Sequence, residues 1–399
     1  MVEFFGLEIK KKEKILQQVE RLRAEQRREV LAQALGDRDP GIVITAVEKV
    51  GAAKVKELYP YILYAVRERQ DQVRQAARSV LLSLPLEEFR RIAYTELGSV
   101  LFSMRQLVLG LLAERGTLDD VPRVLPLIFD YKIDVREHAR RALYEIFARE
   151  IEQRRLGQAE HPVKIDEDLS KAISWLYELV DGPDQINGMM AGRILVDFGA
   201  LAPDVFWQRF GSMALKGRDT LARVLLQRED ESALMVLYAG LLQASEQQAS
   251  KCRQLLQRSL GNGIEPAHLS VLESLSEQTQ ARVARRMALY GLLREFLARF
   301  DRIAARQRGV VFDLLEHLDC RPYEPFLLSC LEREDDLLVY RALRLLIQLE
   351  DGGYMEEFKK LLHRSDPEIL LAVLEYMQVH GDIGVIPSLS PLLAHWDER

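Results

Sequence analysis

Residues 366–389, DPEILLAVLEYMQVHGDIGVIPSL, contain one complete unit of the pattern from which we predict the architecture. The unit begins with an Asp-Pro pair at Asp366, and Pro387 follows 21 positions later. Near the start of the chain, an Asp-Pro pair at Asp39 is followed by Pro60 at the same separation of 21 positions. Because the arrangement occurs at both ends of a chain of 399 residues, it predicts that one structural unit is repeated along the chain.

The spacing of other prolines and aspartates gives the length of this unit. Pro325 and Pro387 are separated by 62 positions, and Asp335 and Asp366 are separated by 31. A period of about 31 residues accounts for both separations, since the first is twice the second.

Within each unit the apolar residues recur at the spacing of an α-helix. They occupy one helix face after Asp71 and again after Asp134, as Val73, Ala77, Val80, Leu81 and Leu84, and as Val135, Ala139, Ala142, Leu143 and Ile146. An Asp in front of such a run is typical of an N-cap, because its carboxylate accepts hydrogen bonds from free backbone N–H groups. The pattern therefore predicts helices that begin at these aspartates.

The later proline of each unit predicts the start of a second helix, since proline is favoured in a first helical turn. These prolines are Pro60, Pro122, Pro325 and Pro387. Each unit is then a helical hairpin, which cannot cover its own apolar face and must stack on its neighbours. The predicted fold is all-α, an α-solenoid of about ten stacked hairpins.

The chain resembles the HEAT-repeat family, in particular its short bacterial HEAT-like form. That form reads roughly Asp-Pro-x-x-Val-Arg, followed by Gly-Asp and then Ile-Pro-x-Leu. The matching positions are Asp366-Pro367, Gly381-Asp382, Ile386-Pro387 and Leu389, together with Val73-Arg74 and Val135-Arg136. The match is visible over residues 39–150 and 320–395, whereas residues 166–300 keep the helical periodicity without these markers.

The repeats and their interruptions divide the chain into five segments. We expect an N-terminal capping helix, HEAT-like repeats, a polar insertion loop, divergent helical repeats and a second run of HEAT-like repeats over residues 1–38, 39–156, 157–168, 169–319 and 320–399. Phe4, Phe5 and Leu7 lie before a lysine run at Lys10. They indicate a hydrophobic plug against the cap or, alternatively, a foot on a membrane surface.

Composition excludes several classes of protein. The chain is 48% hydrophobic and 29% charged, which is ordinary for a folded protein. It has no stretch of about 18 apolar residues that could span a bilayer. Three cysteines without a C-x-x-C pair do not make a disulfide framework. Acidic and apolar residues precede the first lysines, the reverse of a signal peptide. We therefore expect a cytoplasmic location.

The sequence contains none of the motifs that carry common chemistry. Its seven histidines are scattered, with no H-E-x-x-H, and there is no nucleotide-binding glycine loop and no G-x-S-x-G elbow. The prediction is a protein that is not an enzyme and has no catalytic residues, no cofactor and no metal site.

Charge is distributed unevenly along the chain. The net charge is −6 overall, with +3 for residues 1–150, −1 for 151–300 and −8 for 301–399. Against this trend, residues 282–308 contain eight arginines and only two acidic residues. This segment is a candidate surface for an anionic partner.

The resemblance implies that the helix following the Asp lines the concave side of the array. The candidate residues for binding an anionic partner are therefore Arg74, Arg78, Arg136 and Arg140 along that side, with Arg282, Arg285, Arg286, Arg302 and Arg306 in the basic segment. Arginine binds carboxylate and phosphate through two parallel hydrogen bonds. The alternative is a structural ladder in which these arginines pair with carboxylates such as Asp71 and Asp134 of the same or adjacent repeats.

The predicted function is a non-catalytic scaffold or adaptor that presents an extended concave surface to another protein. The main alternative is DNA binding through the arginines, since some HEAT-like proteins grip nucleic acid. Net charge −6 disfavours it, because phosphate neutralisation calls for a basic domain. A lyase or glycosylase, as found among HEAT-like proteins, is a further alternative that rests on the type of repeat alone.

Overall fold

The structure is a computed structural model that describes residues 4–66, 70–156, 167–243, 245–349, 352–381 and 383–389. Over these residues it contains 24 α-helices joined by short 3₁₀-helices and turns, and no β-strand. The chain forms two compact units, Met1–Ile194 and Leu195–Arg399. The all-α prediction is confirmed.

The first unit contains α1 to α10 and the first half of α11. Their bounds are α1 Ile9–Gln17, α2 Ala24–Leu35, α3 Pro40–Ala52, α4 Tyr59–Ala65, α5 Asp71–Ser83, α6 Leu86–Leu97, α7 Phe102–Arg115, α8 Val121–Val124, α9 Ile133–Leu156, α10 Glu167–Asp181 and α11 Gln185–Leu201.

The second unit contains the rest of α11 and all helices that follow. Their bounds are α12 Pro203–Ser212, α13 Leu215–Arg228, α14 Glu231–Gly240, α15 Glu246–Asn262, α16 Pro266–Ser274, α17 Glu277–Leu289, α18 Leu292–Ala298, α19 Gly309–Leu315, α20 Glu324–Leu331, α21 Asp336–Ile347, α22 Met355–Leu361, α23 Pro367–His380 and α24 Ile386–Leu389.

From α3 onward the described helices pair as eleven hairpins, where about ten were predicted. Their first helices begin at positions 40, 71, 102, 133, 185, 215, 246, 277, 309, 336 and 367. Most of these starts are 30 to 32 residues apart, and the step from 133 to 185 is the largest. The middle of the chain, where the sequence markers are absent, therefore follows the same period as the two ends. The predicted α-solenoid of stacked hairpins is confirmed.

At each of the two Asp-Pro pairs, the aspartate is the N-cap of a helix, as the sequence predicts. Oδ1 of Asp39 accepts a hydrogen bond from the Ile42 N–H at 3.2 Å. Oδ1 of Asp366 accepts bonds from the N–H groups of Glu368 and Ile369, each at 3.0 Å. In both helices proline occupies the first turn, where no N–H is needed.

The same prediction is wrong for Asp71 and Asp134. Asp71 is the first residue inside α5, behind the cap residue Gln70, and Asp134 is the second residue of α9. No proline follows either aspartate to fix the start of the helix, so each helix begins at or before the aspartate itself. Both carboxylates remain in the first turn, where the helix dipole favours negative charge.

The second helices begin as predicted from the later prolines. The second residue of each of these helices is the predicted proline: Pro60 in α4, Pro122 in α8, Pro325 in α20 and Pro387 in α24. In all four cases a 3₁₀-turn of three residues precedes the helix, which gives the hairpins a common corner.

The N-terminal segment differs from the single capping helix that we predicted, because it contains two helices, α1 and α2. Phe4 is fully buried, and its backbone N–H donates to Gln33 Oε1 at 3.2 Å. Lys12 pairs with Asp37 at 2.7 Å and fixes α1 against the start of α3. The burial of Phe4 favours the hydrophobic plug over a membrane foot.

The predicted insertion at residues 157–168 lies outside the described residues, apart from Glu167 and Asp168, which open α10. Asp382 of the repeat motif also lies outside them. Within the described part of the chain, none of the helices combines the length and the apolar character needed to cross a lipid bilayer.

Apolar faces of the helices form the core of each unit, and ion pairs join successive hairpins at its border. Each pair connects side chains about one repeat apart in sequence: Lys56–Glu88, Arg78–Glu114 and Arg90–Asp120 in the first unit, and Arg228–Asp197 and Arg341–Asp313 in the second. These pairs form a structural ladder of charged side chains between successive hairpins, and the predicted site residue Arg78 belongs to it.

Candidate functional site

A cavity of about 660 Å³ lies in the first unit. It is formed by one face of three successive first helices, α5, α7 and α9, and we call it the α5–α7–α9 groove. It is lined by Val66, Arg78, Ser103, Gln106, Leu107, Gly110, Leu111, Ala113, Glu114, His138, Arg141, Glu145 and Arg149.

Helix α7 forms the floor of the groove, and Gly110 is at its centre. A Cβ atom at Gly110 would meet no other atom within 4 Å. Glycine in a helix interior costs about 0.5–1 kcal/mol relative to alanine. Packing inside this chain therefore does not require a glycine here, and its missing side chain leaves the floor open.

An ion pair between α5 and α7 closes one wall of the groove. Arg78 Nε donates to Glu114 Oε2 at 3.1 Å, and a second guanidinium nitrogen contacts the other carboxylate oxygen. Arg78 and Glu114 thus neutralise each other in charge.

The opposite wall belongs to α9, where Arg149 holds the end of α7. Its guanidinium donates to the carbonyl oxygens of Gly116, at 2.7 Å, and Ala113. No carboxylate of the described residues lies within ion-pair distance of Arg149, and burial lowers its pKa, with Glu145 opposing that shift. Arg149 is therefore a fixed, half-buried cation in the groove.

Two further side chains of α9, Arg141 and His138, lie one and two helical turns before Glu145. His138 Nδ1 donates to the carbonyl of Asp134 at 2.7 Å, which directs the other ring nitrogen away from the helix backbone. Arg141 is exposed and makes no hydrogen bond or ion pair with any described residue. The wall therefore carries a free guanidinium beside a fixed one.

Of the four arginines predicted on this side of the array, only Arg78 lines the groove. Arg74 pairs with Asp71 in its own helix, as the structural alternative expects. Arg136 donates to the Asp130 carbonyl at 2.9 Å, and the buried Arg140 donates to Asn187 at 2.8 Å and to Glu137 at 2.6 Å. Neither Arg136 nor Arg140 pairs with Asp134.

The arginines predicted in residues 282–308 lie in the second unit. Arg282, Arg285, Arg302 and Arg306 are exposed and make no ion pair with any described residue, whereas Arg286 hydrogen-bonds Tyr290. Arg282 and Arg285 are three positions apart on α17 and share a helix face. These side chains do not line the groove, and they do not line a cavity of about 310 Å³ that α12, α13 and α15 form in the second unit.

Sequence reasoning missed most of the groove. His138, Arg141, Glu145 and Arg149 recur every three or four positions along α9, which places them on one face. The sequence contains this spacing, but the prediction was based on the Val-Arg signature, which selects Arg136 and Arg140 on a neighbouring face.

A second surface feature of the first unit is an apolar cluster on two adjacent loops, one before α7 and one before α9. Its exposed members are Val100, Leu101, Phe102, Phe129, Tyr131 and Ile133, with Val100 89% and Tyr131 70% exposed. Arg105, which is buried, joins the loops by pairing with Asp130 at 3.0 Å, and Lys132 stacks over Phe102. Exposed apolar groups in such number are typical of proteins that bind partners.

Among the described residues, no group of three or more His, Cys, Asp or Glu side chains is placed to hold a metal ion. One histidine, His268, is fully buried and is hydrogen-bonded to Tyr238 and Ser259. Its two ring nitrogens are bonded at 2.8 and 3.1 Å, so it acts as a structural core residue.

No protein-family model matches the chain, and no curated protein matches it. Among solved structures, the chain is similar to Kap121p, with 12% identity and a TM-score of 0.36 over 97% of this chain and 51% of Kap121p. It is similar to importin beta at 10% identity and a TM-score of 0.36, over 97% of this chain and 67% of that one. A Kap95p structure with RanGDP gives 12% identity and a TM-score of 0.39, over 98% of this chain and 61% of that one.

The chain thus spans about half the length of Kap121p.

Proposed function

We propose that the protein is a non-catalytic scaffold that binds a segment of a partner protein in the α5–α7–α9 groove. The observation that carries the proposal is the open floor at Gly110, in a cavity of about 660 Å³ built by three successive repeats. A cavity of this size accommodates several side chains of a bound segment.

The lining of the groove supports a protein partner. It combines apolar side chains, such as Leu107 and Leu111, with amide, hydroxyl and charged groups at its margins. Binding surfaces for peptides use this combination, because apolar contacts provide affinity and polar groups fix orientation. The exposed apolar cluster on the loops before α7 and α9 supports the same class of function.

DNA binding through the exposed arginines of α17 is the competing proposal. Arg282 and Arg285 are free to meet phosphates, but the chain is acidic overall, and only a local patch would attract a polyanion. Reversal of both to glutamate would remove salt-dependent retention on DNA or heparin if that patch were responsible.

To test the scaffold proposal, the groove is filled with a bulky side chain. The variant is compared with one that carries the same substitution on another helix. Gly110→Trp places a large side chain on the groove floor. Gly261→Trp does the same on α15, where a Cβ atom also meets nothing within 4 Å. Tagged wild-type protein and both variants are recovered from native cell extract, and bound proteins are quantified.

We expect wild type and Gly261→Trp to retain the same stoichiometric protein partner and Gly110→Trp to lose it, with unchanged helix content by circular dichroism. The scaffold proposal is wrong if wild type retains only nucleic acid or nothing. Equal retention of the partner by all three proteins would show that the groove is not the binding site.

A further inference from the structure

We infer that the α5–α7–α9 groove selects an acidic segment of its partner, with two carboxylates that pair with Arg141 and Arg149. This inference rests on the proposed function and adds the chemistry of the bound segment.

The charges of the groove are unbalanced in favour of cations. Arg78 and Glu114 form a pair, which leaves Arg141 and Arg149 against Glu145. Charges in a recessed site are screened less by water and salt than charges on an open surface, so the excess favours an anionic ligand.

The two arginines are prepared for binding in different ways. Arg149 is held by the carbonyls of Gly116 and Ala113, so that little side-chain entropy is lost when it meets a ligand. Arg141 makes no hydrogen bond with the described residues, and its full set of N–H donors is available for a carboxylate.

The spacing of the arginines predicts the spacing of the acidic residues. Arg141 and Arg149 are eight residues apart on α9, which corresponds to about 12 Å along a helix axis. An extended segment covers that distance in about three to four residues. Apolar side chains between the two acidic residues would then face Leu107, Leu111 and the gap at Gly110.

The composition of the walls favours an acidic peptide over a nucleic acid. Glu145 lines the groove without an ion-pair partner among the described residues and would repel a continuous run of phosphates. A peptide places its carboxylates only at the arginines and presents a neutral group to Glu145. Specificity of this kind depends on repulsion as well as attraction.

The test uses a displayed library of random peptides, which is selected on the full-length protein. We expect enriched peptides to contain two acidic residues three or four positions apart with apolar residues between them. One such peptide is then labelled, and its binding is measured by fluorescence anisotropy against wild type, Arg141→Glu and Arg28→Glu. Arg28 is a matched control, since it is exposed on α2, is outside the groove and pairs with no described residue.

We expect Arg141→Glu to weaken binding by about 10-fold or more, Arg28→Glu to leave it unchanged and added NaCl to weaken it in wild type. Enrichment of neutral or basic peptides, absence of enrichment, or equal binding to Arg141→Glu would overturn the inference. Binding of a labelled DNA duplex that is lost in Arg141→Glu would also overturn it, in favour of nucleic acid. If Gly110→Trp loses the native partner while the selected peptides lack acidic pairs, the scaffold function stands and only the acidic selectivity fails.

Discussion

At the scale of single residues, two glycines inside helices have opposite surroundings, one open and one crowded. Gly110 faces open space in the groove, whereas Gly240 is buried at the end of α14. A Cβ at Gly240 would lie 2.6 Å from Trp207 Cε2 and closer still to Cys252 Sγ. The first glycine leaves room for a ligand, and the second lets an indole ring and a thiol approach a helix.

The same substitution should therefore have opposite effects at these two positions. Gly110→Ala should raise the free energy of unfolding by about 0.5–1 kcal/mol, because alanine is the better helix former and meets no neighbour. Gly240→Ala should lower it by about 1–3 kcal/mol through overpacking. Urea denaturation followed by circular dichroism measures both changes, and a loss of stability in Gly110→Ala would contradict the open floor.

At the scale of helices, a buried polar cluster joins three elements of the second unit. His268 of α16 is bonded to Tyr238 of α14 and Ser259 of α15, and its ring packs edge-to-face on Phe296 of α18. The groups in contact with it carry no charge that could stabilise a protonated ring, and burial lowers the pKa of His268 to about 4. The cluster therefore requires a neutral imidazole.

This requirement predicts a loss of stability in acid. An unfolded chain binds a proton at His268 below a pKa of about 6.5, whereas the folded chain resists protonation down to a pKa of about 4. Stability from this site is complete above pH 6.5 and falls by about 3 kcal/mol as the pH approaches 4. Urea denaturation across this range should show a smaller stability difference between wild type and His268→Gln at low pH than at neutral pH. A constant difference would mean that His268 titrates normally.

Helix pairing was largely predictable from the sequence, and the site was not. The apolar pattern recurs with a period of about 31 residues because every hairpin must bury an apolar helix face of the same kind. Which polar face meets the groove depends on how a helix is rotated against its neighbours. The spacing of Arg136 and Arg140 correctly places them on one helix face, but that face turns towards Asn187 rather than the groove.

At the scale of the whole molecule, contacts within each unit follow the order of the hairpins. First helices pack on first helices of the next hairpin, as α3 on α5 and α7 on α9, and α13 on α15. In such arrays, stability is approximately a sum over repeats and their shared faces. A local defect therefore disturbs its neighbours most.

This additive behaviour predicts where the Gly240→Ala defect is felt. Hydrogen exchange measured by mass spectrometry should show faster exchange in α12 to α16, which surround Trp207 and Cys252, and unchanged protection in α3 to α9. Wild-type protein under the same conditions is the control. Uniform acceleration over the whole chain would show a single cooperative unit instead.

The near-constant hairpin length has a consequence for how such a chain can change in evolution or by design. Residues 215–245 span one hairpin, from the start of α13 to the residue before α15. If such a block is duplicated or excised, the apolar helix faces that meet at the new junction are of the same kind as those that met before. Gene segments of that size can thus be added or removed without a change of register, whereas an insertion of a few codons inside one helix would rotate the rest of that helix's apolar stripe away from its neighbours.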